Sequence, residues 1–167
     1  MANSQVRQAE RKVTVRLAKA ADIPQVIAVD AENTGLTKAE YWEDLFERYN
    51  SRATDGDDDA QHKSVKRYRF FLIACEGDTV LGFIIGEVRA WEFGSPPCGW
   101  IFAIGVRGNT RQGGVGNTLF EALNERFRKA GVTKVRTMLA RDDTLIMSFF
   151  RAQGMMAGPF IQLEKDL

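Results

Sequence analysis

Six consecutive residues, Arg111-Gln112-Gly113-Gly114-Val115-Gly116, carry the strongest chemical signal in this 167-residue chain. A strand-like run, Trp100–Val106, leads into them, and an amphipathic helical pattern, Val115–Ala130, follows at once. Glycines at a strand-to-helix turn let backbone N–H groups converge where a Cβ would block approach. The helix start adds N–H donors without intrahelical acceptors and a partial positive charge. Such a turn suits a phosphate or pyrophosphate. Two phosphate motifs fail on spacing. A P-loop needs a lysine directly after its second glycine, and after Gly108 and Gly113 that place is taken by Gly114. A dinucleotide fingerprint needs a third glycine, and three residues beyond Gly116 stands Leu119. The pattern that fits is Arg/Gln-x-x-Gly-x-Gly/Ala, filled by Arg111, Gly114 and Gly116.

Other residues of chemical type give weaker patterns. Asp55-Gly56-Asp57-Asp58-Asp59 has the charge of a calcium loop but lacks the bidentate glutamate and its spacing, so it reads as a solvated loop with His62 just beyond. Cys75 and Cys98 do not make a disulfide framework, and strand cysteines are commonly buried and inert. Hydrophobic residues at 44% and charged residues at 27% describe an ordinary globular protein. With a net charge of +1, no global field argues for nucleic acid or membrane, and neither is the expected partner. No apolar run approaches the roughly 18 residues of a spanning helix, and the start lacks the apolar core of a secretory signal. The cytoplasm is the expected compartment.

The elements that must position the glycine turn follow from periodicity. Residues 1–11 read as an N-terminal tail and 12–167 as a single domain. Val13–Leu17 alternates as a strand. Asp22 is placed to cap a helix carrying Pro24, Ile23, Val26, Ile27 and Asp30, ended by Gly35. Thr37 with Glu40 is a capping-box pair before a second helix with the stripe Tyr41, Leu45, Phe46 and Tyr49. Phe70–Cys75 and Val80–Ala90 read as hairpin strands joined at Glu76-Gly77-Asp78. After the glycine turn, Val115, Leu119, Leu123 and Phe127 stack on one helix face, stopped by Gly131. Lys134–Leu139 is a further strand. Asp142 or Asp143 caps a short helix with Leu145, Ile146, Phe149 and Phe150, ending at Gly154, and Phe160–Leu163 is a last strand.

The turn, with this order of elements, resembles the GCN5-related N-acetyltransferases over about residues 12–166. The resemblance implies a mixed α/β fold whose central sheet splays between the Trp100 and Lys134 strands. It implies acetyl-CoA as cosubstrate, with no metal. Pantetheine would pair with main chain around Ile104, Gly105 and Val106 like an added strand. Backbone N–H groups of Gln112, Gly113, Gly114, Val115, Gly116 and Asn117 would hold the pyrophosphate, with Arg111 adding charge. The activity implied is transfer of the acetyl group directly to a primary amine, on a small molecule or a protein. A homodimer is compatible with the family. The segment Asp22–Asn50 and the run Asp55–Asp59 would border the acceptor, with Tyr41 and Trp42 as aromatic surface and the aspartates favouring an ammonium group.

The catalytic positions depart from the family pattern. Counting back from Gly154, the usual Tyr position holds Phe150 and the usual Asn position holds Asp143; both are expected beside the cofactor. Strand positions often bearing a glutamate base hold Trp100 and Met138. Glu87 and Glu92 are the base candidates, with Glu87 preferred. A thiolate of ordinary pKa, about 8.5, leaves without a protein acid. The second reading of the same residues is a non-catalytic acyl-CoA-binding or regulatory domain.

Overall fold

The computed structural model describes residues 13–50 and 68–167, in two compact units, Met1–Thr137 and Met138–Leu167. The proposed tail, the run Asp55–Asp59 and His62 lie outside the described residues.

The first unit is a five-stranded sheet in sequential order: β1 (Thr14–Leu17), β2 (Arg69–Glu76), β3 (Thr79–Arg89), β4 (Cys98–Val106) and β5 (Val135–Thr137). The first four strands are antiparallel, and β5 runs parallel to β4. Side chains alternate across a strand, which sorts the core into two faces. Phe71, Ile73, Phe83 and Ile85 pack with Ile23, Val26 and Val29 of α1 (Ile23–Thr34) and with Trp42 and Leu45 of α2 (Ala39–Asn50). On the opposite face lies α3 (Val115–Lys129), where Phe127 is 5.8 Å from Phe70 between ring centroids. A Cβ at Gly86 or Gly99 would come within 2.8 or 2.6 Å of Phe127, so these glycines let α3 seat on the sheet. The predicted stripe Val115, Leu119, Leu123 and Phe127 is buried throughout.

The stop of α1 is as expected, and two expectations about α1 and α2 are corrected. Gly35 ends α1 at φ 73°, donating to the Ala31 carbonyl at 2.8 Å. Asp22 occupies the capping position of α1 but does not cap it. Its carboxylate instead accepts two bonds from Arg16 of β1, at 2.7 and 2.9 Å, and one from the Lys19 N–H at 2.7 Å. A charged fork on a neighbouring strand outcompetes a lone amide. The Arg16 guanidinium holds the Asp22 carboxyl below its ordinary pKa, against the opposing effect of burial. In α2 the buried aromatic is Trp42, 2% exposed, while Tyr41 is 48% exposed. Trp42 packs on Phe83 and Phe71, and its Nε1 donates to the buried Asp30 carboxylate at 2.8 Å. It therefore cannot serve as acceptor surface.

Two strand expectations are corrected as well. The strand expected over Lys134–Leu139 is the shorter β5, ending at Thr137. In the second unit, residues 160–163 form no strand; Ile161 and Leu163 are exposed there. Strand propensity measures fit to a half-buried ladder, and this run makes none. That unit contains α4 (Thr144–Ala152), capped by Asp143, whose Oδ1 accepts the Ile146 N–H at 3.0 Å. Among the described residues no helix is long and apolar enough to cross a membrane.

Candidate functional site

The site is organised by β4. Ile85 of β3 faces Ala103, but Gly86 faces Ile101, leaving Phe102 as an extra, bulged residue. A bulge bends its strand and increases the local twist. The ladder to β5 covers only Gly99–Ile101 and stops one residue short of the bulge. Beyond it, Ala103–Val106 pair with β3 on one side and with no described strand on the other. This opens the sheet where the splay was expected, and it places Ile104, Gly105 and Val106 on the open edge. Main-chain groups on such an edge require partners, and an extended ligand can supply them.

One partner comes from the protein. Asn33 Nδ2 of α1 donates to the Val106 carbonyl at 3.2 Å. The adjacent Glu32 accepts the Gly108 N–H through Oε1 at 2.8 Å, with Arg107 Nη1 3.9 Å from Oε2. Arg107 is itself fixed by bonds to the Val80 and Leu81 carbonyls, at 2.7 and 2.9 Å. The last turn of α1 thus holds the chain as it leaves β4. Sequence patterning gave no sign of this, since Glu32 and Gly108 are 76 residues apart.

From there Gly108–Gly113 forms a 3-10 turn rather than an open loop. Gly114, at φ 73°, reverses the chain into α3, which opens with Val115, Gly116 and Asn117. The first α-helical bond of this segment runs from the Thr118 N–H to the Gly114 carbonyl at 3.0 Å. The N–H groups of Val115 and Gly116 therefore have no acceptor within the helix. A Cβ at Gly113 or Gly114 would meet no atom within 4 Å, so both glycines face open space. A cradle of this kind, with donors and a helix N-terminus behind it, fits the pyrophosphate of coenzyme A.

At the other end of β4 a charged cluster forms on the face shared with α1 and α2. Glu87 of β3, with its side chain 18% exposed, is paired with Arg89 Nε at 2.9 Å and Arg69 Nε at 3.4 Å. Tyr49 of α2 donates its hydroxyl to Glu87 Oε2 at 3.4 Å. Burial, then the charge of Glu87, pushes the Tyr49 hydroxyl well above its ordinary pKa. Glu92 pairs with Arg89 at 3.1 Å in the turn after β3. Trp100 is the register partner of Glu87, and the Arg89 guanidinium lies 4.9 Å from the Phe102 ring centre. Cys75 and Cys98 are free and buried.

In the second unit, Asp143 is committed to capping α4, and Phe150 is buried with its ring 5.2 Å from that of Phe149. Met138 is exposed. Neither Phe150 nor Met138 carries a titrating group.

Comparison with known proteins agrees with the fold. The family model described as Acetyltransferase (GNAT) family matches residues 37–155. A search of curated proteins finds no match. Among solved structures, the chain is similar to the aminoglycoside N-acetyltransferase AAC(6')-Iy in complex with CoA, with TM-score 0.73 and 14% identity over 93% of this chain and 95% of that one. It is similar to a transcriptional regulator from Bacillus halodurans C-125, with TM-score 0.73 and 14% identity over 93% and 100%. A ribosomal-protein-alanine N-acetyltransferase from Brucella melitensis biovar Abortus 2308 gives TM-score 0.68 and 16% identity over 93% and 99%. Likeness at these identities is likeness of fold.

Proposed function

Because this chain belongs to the acetyltransferase (GNAT) family, we propose that residues 12–167 act as one domain that transfers the acetyl group of acetyl-CoA directly to a primary amine. The observation that carries the reading is the open edge of β4 running into the glycine cradle at Gly113 and Gly114. Main chain at Ile104 and Gly105 aligns the pantetheine arm, and Gln112–Asn117 with Arg111 hold the pyrophosphate. Acetyl-CoA supplies a thioester carbonyl, and its thiolate, with an ordinary pKa of about 8.5, takes its proton from water. The amine must attack as the free base, and Glu87 is the carboxylate assigned to accept its proton through water. Positioning contributes much of the rate, as effective-molarity effects do in general. Burial of Cys75 and Cys98 favours direct transfer over an acyl-cysteine route. The structural neighbours include an enzyme named for aminoglycosides and one named for a protein alanine, so both small-molecule and protein amines belong in the test.

The test is thiol release from acetyl-CoA on incubation with an amine panel, with the product identified by mass. The reading predicts release coupled to a 42-dalton gain on the amine, roughly the mass of an acetyl group less a proton, with Glu87→Gln lowering kcat at constant KM for acetyl-CoA. The second reading, an acyl-CoA-binding regulatory domain, draws on the buried, hydroxyl-free Phe150. Tight acetyl-CoA binding without thiol release for any amine would establish it instead.

A further inference from the structure

We propose that Asn33 and Glu32, adjacent on the last turn of α1, set the joint between the open edge of β4 and the glycine cradle, so that the two halves of coenzyme A bind as one ligand. This rests on the cofactor reading above and adds to it two positioning residues that belong neither to the edge nor to the cradle.

The joint is a pair of consecutive peptide units. A trans peptide is planar, with its C=O and N–H directed oppositely. In the Val106–Arg107 unit, the Arg107 N–H donates to the Leu81 carbonyl of β3 at 2.9 Å. The Val106 carbonyl therefore points away from β3, to the open side, where Asn33 Nδ2 donates to it at 3.2 Å. In the next unit, the Arg107 carbonyl accepts the N–H and the hydroxyl of Thr110, at 3.0 and 3.1 Å. Its opposite end, the Gly108 N–H, donates to Glu32 Oε1 at 2.8 Å. Each unit is thus held at both ends, and each takes one of its holds from α1.

Glycine makes this approach possible. A Cβ at Gly108 would come within 2.9 Å of Glu32 Oε1. One at Gly105 would strike the Phe83 ring at 2.6 Å and lie 3.4 Å from Asn33 Nδ2. At its other end α1 is fixed as well. Gln25 accepts the Val80 N–H at 2.9 Å and donates to the Asp78 carbonyl at 2.8 Å. The Val80 carbonyl in turn accepts Arg107 Nε at 2.7 Å. The helix is therefore a strut between the start of β3 and the end of β4. Asn33 and Glu32 are both exposed, so they add little to the core. What they fix is the direction in which the chain leaves the edge strand for the phosphate turn.

Two half-sites reinforce each other through one ligand only where their geometry matches its tether. A preset joint also spares the cost of ordering it on binding. With the pantetheine arm on the edge and the pyrophosphate in the cradle, a loosened joint weakens the whole ligand and spares each half.

Asn33→Ala is the variant of choice, because alanine suits an exposed helical position. The probes are CoA, phosphoadenosine diphosphate as its nucleotide half, and pantetheine as its arm. CoA is titrated by calorimetry and the weaker halves by NMR. The proposal predicts CoA affinity roughly five-fold lower at an unchanged Tm, with each half kept within about two-fold. Unchanged or tighter CoA binding overturns the inference and leaves the cofactor reading intact. So does an equal loss for CoA and either half, which would make Asn33 a support of that half alone. If the wild type binds none of the three, the cofactor reading falls and this inference falls with it.

Discussion

The two ends of β4 are built by different means. At the Val106 end, the features proposed to bind the cofactor are main-chain groups: an open strand edge, a 3-10 turn, a glycine at positive φ and the start of α3. They follow one another along residues 102–117. At the Cys98 end, the features are side chains gathered from distant segments: Tyr49, Arg69, Glu87, Arg89, Phe93, Trp100 and Arg136. On the proposed function, the difference teaches that a site for an invariant group, a pyrophosphate, can be written into contiguous backbone, while a site for a variable group depends on the tertiary fold. Breaking the fold's long-range supports should therefore damage the Cys98 end first.

The largest effect is expected at Trp42, which fixes α2 and hence Tyr49. Trp42→Ala should lower stability by about 3–5 kcal/mol in urea denaturation, and Trp42→Phe should recover most of that. An unchanged midpoint for the alanine variant would show that α2 is held by something else. The next concerns Asp22, which ties α1 to β1. Asp22→Asn should cost about 2 kcal/mol at neutral pH, typical of a charged hydrogen-bonded group. The carboxyl is depressed in the folded state, so its contribution is complete above the unfolded value, about 3.9, and is lost as pH falls through the folded value. The wild-type and Asp22→Asn stabilities should therefore converge at low pH. Parallel curves would contradict the assignment. The smallest effect sharpens the Val106 end. Glu32→Ala removes the acceptor of the Gly108 N–H and should raise KM for acetyl-CoA about five-fold, equivalent to about 1 kcal/mol, with kcat kept within a factor of about two. An unchanged KM would detach α1 from the phosphate turn.

The same contrast decides what was legible in the sequence. Gly114, Gly116 and the stripe Val115, Leu119, Leu123 and Phe127 announce the turn and α3 because both are local patterns. Gly35 was readable as a helix stop, and the cap of α4 as Asp142 or Asp143, for the same reason; the structure selects Asp143. Asp22 also looked like a cap, but its choice between an amide and Arg16 depends on where β1 lies. Tyr41 and Trp42 are adjacent, and periodicity put the wrong one in the core because Asp30 and Phe83, not spacing, select Trp42. The bulge at Phe102 left no mark, since it exists only as a mismatch between β3 and β4. The anchoring of Gly108 by Glu32 and the pairing of Glu87 with Arg69 are likewise products of the fold.

The central claim is that the cradle at the Val106 end holds the coenzyme A pyrophosphate. Gly113 probes it most cleanly, because a Cβ there meets no protein atom within 4 Å and its φ lies outside the left-handed region. Gly113→Val should fold normally yet place its side chain where the ligand must come. Calorimetric titration with acetyl-CoA should show one site per chain for the wild type and a loss of roughly a hundred-fold or more in affinity for the variant, at an unchanged Tm. Equal affinity in the two proteins, or no binding by the wild type, would contradict the account.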